Sequence, residues 1–224
     1  MRETLIILHG WNQSKKDWEE VINRLNEKDI DTVAFDLPGF GSQALISLDW
    51  GIPEYSQWVS QQIESSHKKK VILLGHSFGG RIASYLASQN PKWLHKLILY
   101  ASPSIYRPSY QVRFKIFLAK LFKILGIKKK PNNKELEEAD NREMGKIFRK
   151  VVPFDQTLNL SNIRVQTYLI WGERDDVVPL KIAKEMKQLI SRSNLIVFKN
   201  LGHNAHKENV NLFVGKLIKL IKDV

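Results

Sequence analysis

Six short apolar runs punctuate the chain of 224 residues: Thr4–Leu8, Thr32–Phe35, Val71–Leu74, Leu97–Tyr100, Thr167–Ile170 and Leu195–Phe198. None alternates polar and apolar positions as a strand with one wet face would. Each is therefore predicted to be a strand buried on both sides, as in a parallel sheet. Segments of helical periodicity lie between them, among them Trp18–Leu25, Tyr55–Ile63, Gly80–Ser88 and Pro179–Ile190. Strands alternating with helices predict an α/β protein with a doubly wound, mainly parallel sheet covered on both faces.

The alternation breaks once. Residues 104–160 carry no strand pattern, and the stretch is too long for a plain loop in a compact domain. Gln111–Ile127 reads as a helix, Lys128-Lys129-Lys130-Pro131-Asn132-Asn133 as a basic turn, and Lys134–Val151 as a second helix. The segment is expected to form a helical cap, or lid, over the carboxyl edge of the sheet, where α/β proteins bind ligands. Residues 1–103 and 161–224 would then make up the core. On a wheel, Phe114, Phe117, Leu118, Leu121, Phe122, Ile124 and Leu125 share one apolar sector, while Arg113, Lys120 and Lys123 lie opposite. Phe117, Leu121 and Phe122 are accordingly expected to line a substrate pocket.

Charge sharpens this division. The net charge of +12 is concentrated, because residues 104–160 hold 13 Lys and Arg against 6 Asp and Glu. A basic, amphipathic cap suits an acidic acyl carrier or an anionic membrane surface. No recognised nucleic-acid module accompanies the charge, so a nucleic-acid partner is not expected. The chain has no cysteine, which excludes disulfides, thiol catalysis and Cys-ligated metals. Its N-terminal apolar run is too short for a signal peptide, and no stretch approaches the ~20 apolar residues of a membrane-spanning helix. A cytoplasmic protein is expected.

The chemistry-bearing pattern is Gly75-His76-Ser77-Phe78-Gly79-Gly80, after a predicted strand and before a predicted helix. A G-x-S-x-G turn in that context lifts a serine hydroxyl above the sheet, and its glycines let strand and helix fold tightly together. Ser77 is the candidate nucleophile. Leu8-His9-Gly10-Trp11 follows the first strand, so the backbone amides of Trp11 and Phe78 are candidates for an oxyanion hole. His9 is expected to fix this loop by hydrogen bonding. A serine needs a base and the base an orienting acid. His203 follows the last strand in Leu201-Gly202-His203 and is the candidate base, with His206 as runner-up; His67 and His95 read as surface residues. Asp175 is the candidate acid at its offset after Trp171-Gly172, and Asp176 is expected to cap the next helix.

Together, Leu8-His9-Gly10-Trp11, Asp36-Leu37-Pro38-Gly39-Phe40-Gly41-Ser42, Gly75–Gly80, Trp171-Gly172-Glu173-Arg174-Asp175 and Gly202-His203 resemble the α/β-hydrolase superfamily. Within it, the chain is similar to small serine carboxylesterases, including the pimeloyl-carrier-protein methyl ester esterases, which share the His-Gly-Trp opening. The resemblance covers nearly everything outside residues 104–160. It implies that Asp36–Gly41 shapes a loop beside the site. It also implies that the chain starts at what is usually the third strand, so that the sheet has six strands. The expected activity is hydrolysis of a small-molecule carboxylic ester through an acyl-enzyme, with no metal and no organic cofactor. Carbon–carbon bond hydrolysis or acyl transfer by the same residues is the alternative enzymatic reading. A ligand receptor with poor turnover is the alternative from another class.

Overall fold

A computed structural model gives the fold, and its described residues are 3–107 and 144–222. The expected cap helix Gln111–Ile127 lies outside them, and with it Phe117, Leu121, Phe122 and the lysine run Lys128–Lys130. Strand β1 (Thr4–Leu8) leads through a 3₁₀ turn (Lys15–Trp18) to α1 (Glu19–Asn26) and β2 (Asp31–Phe35). Next come α2 (Ile52–Ser65), β3 (Val71–His76), α3 (Phe78–Ser88) and β4 (Leu94–Tyr100). The described chain resumes with α4 (Gly145–Val151) and α5 (Thr157–Leu160), followed by β5 (Gln166–Gly172) and α6 (Leu180–Leu189). It ends with β6 (Ser193–Phe198), α7 (Ala205–Glu208) and α8 (Val210–Lys222).

The six strands form one sheet in the order β2-β1-β3-β4-β5-β6, and every neighbouring pair is parallel. Side chains of a strand alternate between faces, and here both faces are apolar. Ile6, Leu8, Leu73, Leu97, Leu99, Leu169 and Trp171 pack against α2, α3 and α6. Their chain neighbours Leu5, Ile7, Ile72, Leu74, Ile98 and Ile170 pack against α1 and α8. This double burial is the reason that the strand sequences lack alternation.

The order of the strands decides where a site can form. From β1 the chain moves outward to β2, then crosses back to lay β3 on the other side of β1. The loops leaving β1 and β3 therefore diverge, which opens a crevice at their carboxyl ends.

Two corrections concern helices. Asp176 is exposed and does not cap α6, whose N-cap position is Pro179 with no side-chain bond. Of the expected helix Lys134–Val151, the described part is α4, and α5 is a further helical turn that the periodicity did not indicate. The two ends of residues 104–160 run side by side: Gln156 N–H donates to Ser104 O at 3.0 Å and Tyr106 N–H to Asp155 Oδ1 at 3.1 Å. Buried Ser84, Ser104 and Gln156 extend that seam onto α3.

Candidate active site

Ser77 sits between β3 and α3 with φ 50° and ψ −110°. That left-handed backbone costs a non-glycine residue about 1–3 kcal/mol and persists only when its surroundings over-determine it. Here Ser77 N–H donates to Tyr100 O at 2.9 Å, and Ser77 O accepts from Arg81 N–H at 3.2 Å. The turn is also compressed from outside. A Cβ on Gly79 would lie 2.3 Å from Leu8 O, so the start of α3 rests directly on the end of β1. Ser77 is partly exposed amid buried neighbours. As the first turn of a helix, the α3 amides point toward it and favour negative charge there.

The loop after β1 is tied down by its own histidine. The His9 ring nitrogens lie 2.8 Å from Gly10 O and 3.0 Å from the Leu37 amide nitrogen. Leu37 N–H must donate, so Nε2 accepts and Nδ1–H donates. Burial depresses the His9 pKa, which keeps the ring neutral as this pattern requires. The loop bonds back to the Ser77 turn through Gly79 N–H donating to His9 O at 3.1 Å. Among the described residues, neither the Trp11 nor the Phe78 amide donates to a protein acceptor.

The candidate acid and base come from the loops after β5 and β6. His203 Nδ1 is 2.9 Å from Asp175 Oδ2. The Asp175 side chain is fully buried and that of His203 is 11% exposed. The other carboxylate oxygen, Oδ1, accepts from the amides of Val177 at 3.0 Å and Val178 at 2.7 Å, which fixes the carboxylate plane. Trp171 Nε1–H donates to Val178 O at 2.8 Å and anchors the same turn. The two loops cross in contact, since a Cβ on Gly172 would lie 2.2 Å from Gly202 O. Glycine at 172 is what permits that approach.

The runner-up His206 has other partners. It is buried, stacked on Trp18 at 4.3 Å with rings 6° apart, and its Nδ1 faces the Tyr100 hydroxyl at 3.3 Å. Burial, and secondarily Lys207, push its pKa down to about 3. His95 is exposed and pairs with Glu3, and His67 lies exposed in a turn.

Ser77 Oγ makes no hydrogen bond among the described residues, to His203 or to any other group. Free hydrolytic sites often hold this pair long until substrate arrives. His203 is nonetheless held beside the Ser77 turn. Its ring centroid is 4.9 Å from that of His76, the residue before Ser77, and its carbonyl faces His76 Nε2 at 3.1 Å.

An aromatic wall adjoins the two free amides and carries no local sequence signal. Trp11 meets Phe40, Phe78 and Phe148 edge-on at 5.0, 5.2 and 5.2 Å, and Tyr55 meets Phe78 at 5.1 Å. The Tyr55 hydroxyl donates to Pro38 O at 2.9 Å, holding the Asp36–Gly41 loop beside this wall. Asp36 closes that loop by accepting from the Lys15 amide and from the Ser42 amide and hydroxyl. Phe148 reaches the wall from α4, so part of the segment 104–160 borders the site. Trp11 and Phe40 lie in loops and Tyr55, Phe78 and Phe148 on three helices, so only the fold brings them together.

A serine on a strained strand-to-helix turn, at the switch point of a parallel sheet, beside an Asp–His pair from the last two strands, defines the α/β-hydrolase class of fold. Residues 3–125 match the alpha/beta hydrolase fold family, and this chain belongs to it. It is 29% identical to a pimeloyl-[acyl-carrier protein] methyl ester esterase of Wigglesworthia glossinidia brevipalpis, over 88% of this chain and 83% of that protein. It is 27% identical to a 2-succinyl-6-hydroxy-2,4-cyclohexadiene-1-carboxylate synthase of an Enterobacter strain, over 98% of this chain and 93% of the relative. Among solved structures, an esterase from Exiguobacterium antarcticum superposes with a TM-score of 0.78 at 22% identity, covering 99% of this chain and 92% of the other. The protein is an α/β-fold hydrolase with esterase-type relatives. Among the described residues, no helix is long and apolar enough to cross a membrane.

Proposed function

We propose that this chain is a serine hydrolase that cleaves a carboxylic ester through an acyl-enzyme, with Ser77 as nucleophile, His203 as general base and Asp175 as the acid that orients it. The observation carrying this reading is the Asp175–His203 contact of 2.9 Å, placed at the same sheet edge as the strained Ser77 turn. Asp175 accepts Nδ1–H of His203, which leaves Nε2 unprotonated to remove the Ser77 proton. Ser77 Oγ attacks the ester carbonyl, and the amides of Trp11 and Phe78 take up the negative charge that develops on its oxygen. His203 then protonates the leaving alcohol. A water, activated by the same imidazole, releases the acid and restores Ser77.

The substrate we favour is a small ester whose acyl part is carried on an acidic protein. Two features support it: the likeness to esterases named for an acyl-carrier substrate and the basic character of residues 104–160. The expected lid at 104–160 would close over that acyl chain, with Phe117, Leu121 and Phe122 facing it. A cysteine-free chain fits a reducing compartment, and we place the activity in the cytoplasm. A second reading uses the same residues for carbon–carbon bond hydrolysis or acyl transfer, and the likeness to the synthase favours it.

Turnover of p-nitrophenyl esters of increasing chain length, with Ser77→Ala as control, tests the proposal. Wild type should hydrolyse them and react with a fluorophosphonate, and the Ala variant should lose activity by several orders of magnitude, since triad members act as a unit. Labelling without ester turnover would favour the second reading. Neither would leave a binding protein.

A further inference from the structure

One side chain touches three of the loops of this site without belonging to the proposed triad. Gln13 Oε1 accepts from the Gly10 amide at 2.9 Å, and so holds the loop that carries the Trp11 amide. The same oxygen faces His76 Nδ1 at 3.1 Å, on the residue before Ser77. Gln13 Nε2–H donates to Asn204 Oδ1 at 3.0 Å, next to His203. The orientation of the amide follows from this network, because the Gly10 amide can only donate and must meet the oxygen.

The packing is close enough to have imposed a residue type. A Cβ at Gly10 would lie 3.0 Å from both Gln13 Oε1 and His76 Nδ1, so a side chain there would push the clamp apart. A neutral His76 carries one N–H, so its contacts with Gln13 Oε1 through Nδ1 and with the His203 carbonyl oxygen through Nε2, at 3.1 Å, are alternatives, while the Tyr100 hydroxyl donates to that carbonyl at 2.9 Å in either case. His76 is fully buried, and desolvation, with the neighbouring His206 and His203 rings, holds its pKa well below the ordinary imidazole value.

We propose that Gln13 is a positioning residue that locks the oxyanion loop, the nucleophile turn and the base loop into one rigid constellation. This inference rests on the serine-hydrolase reading above. A catalytic constellation must be held to about half an ångström, and a displacement of about 1 Å can cost about a hundredfold in rate. Three loops tied to one amide satisfy that requirement with a side chain that never touches the reacting atoms.

The test compares Gln13→Ala, Gln13→Glu, Asn204→Ala and the double variant Gln13→Ala/Asn204→Ala, using a short p-nitrophenyl ester and a fluorophosphonate. Gln13→Ala should lower kcat about 10- to 100-fold and slow phosphonylation of Ser77 by a similar factor, with KM within about twofold. Gln13→Glu keeps an acceptor for the Gly10 amide and can meet Asn204 if that amide turns over, so it should recover most of the loss. Adding Asn204→Ala to Gln13→Ala should cost nothing further, because the tether is already gone. Unchanged kcat in a folded Gln13→Ala protein, losses that multiply in the double variant, or a Glu variant as slow as Ala would each overturn the proposal. Wild type that neither labels nor turns over would overturn the parent reading, and the proposal with it. Labelling of wild type with an unaltered rate in Gln13→Ala would overturn the proposal alone.

Discussion

The carboxylate of Asp175 and the imidazole of His203 stand 2.9 Å apart across a separation of 28 positions, and the Asp175 side chain has no exposure to solvent. Burying a carboxylate is costly unless its oxygens are hydrogen-bonded. Here one oxygen faces His203 and the other takes two backbone amides. The neighbouring Asp176 is exposed, so two adjacent aspartates have opposite fates. Asp175→Asn should reduce kcat about 10⁴-fold by presenting an N–H to Nδ1 and stabilising the wrong imidazole tautomer. Asp176→Asn should stay within about twofold of wild type. Steady-state turnover of both variants decides the matter, and a larger loss at Asp176 would reverse the assignment.

The backbone of Ser77 stores strain that the proposed reaction would use and the fold does not need. Ser77→Gly should therefore abolish turnover yet raise stability by about 1 kcal/mol, as relief of the left-handed conformation exceeds the added chain entropy of glycine. Urea unfolding of the two proteins gives the difference. A less stable glycine variant would argue that the turn is not strained.

Two glycines should respond oppositely to the same substitution. Gly79→Ala drives a Cβ against Leu8 O and should destabilise by about 3 kcal/mol or more, because backbone there cannot move without parting α3 from β1. Gly215 lies within α8 with nothing inside 4 Å of its added Cβ. Gly215→Ala should stabilise by about 0.5–1 kcal/mol through helix propensity alone. Thermal denaturation of both variants measures the contrast.

Buried histidines give stability a definite pH dependence. The pKa of His206 falls from the ordinary 6.5 to about 3, mainly through burial beside Trp18, His76, Tyr100 and Phe213, with Lys207 acting in the same sense and Asp17 against it. The folded-state value is the lower one, so between pH 6.5 and 3 the unfolded chain binds the extra proton. Stability is thus full above pH 6.5 and is lost as pH falls through that window, with His9 and His76 acting in the same direction. His206→Phe keeps the stack on Trp18 and should flatten the acid limb by up to about 1.4 kcal/mol per pH unit. Denaturation midpoints of wild type and variant across that range would diverge if this holds and run parallel if it does not.

How far the sequence could be read follows the range of the interactions involved. The six strands were legible because a strand buried on both faces leaves a continuous apolar run. The Ser77 turn was legible because the collisions that demand glycine at 75 and 79 involve residues close in sequence as well as the end of β1. The helix limits shifted by only a few residues, for example from Tyr55–Ile63 to Ile52–Ser65. Asp176 looked like a cap since it precedes a proline, but its position in the crossing of the Asp175 and His203 loops leaves it facing solvent.

Gln13 shows the opposite limit. Nothing in its local sequence marks it, and its contact with Asn204 spans 191 positions. The same is true of the meeting of Trp11, Phe40, Tyr55 and Phe148, which come from four separate segments. By itself the sequence determined the layers, the parallel sheet and the loops able to carry chemistry, because periodicity and tight turns are local constraints on the chain. Only the tertiary structure decided which of those loops touch, which aspartate meets His203 and which side chain binds the loops together, because such contacts depend on the order of strands in the sheet and on burial, which the residues' spacing along the chain does not express.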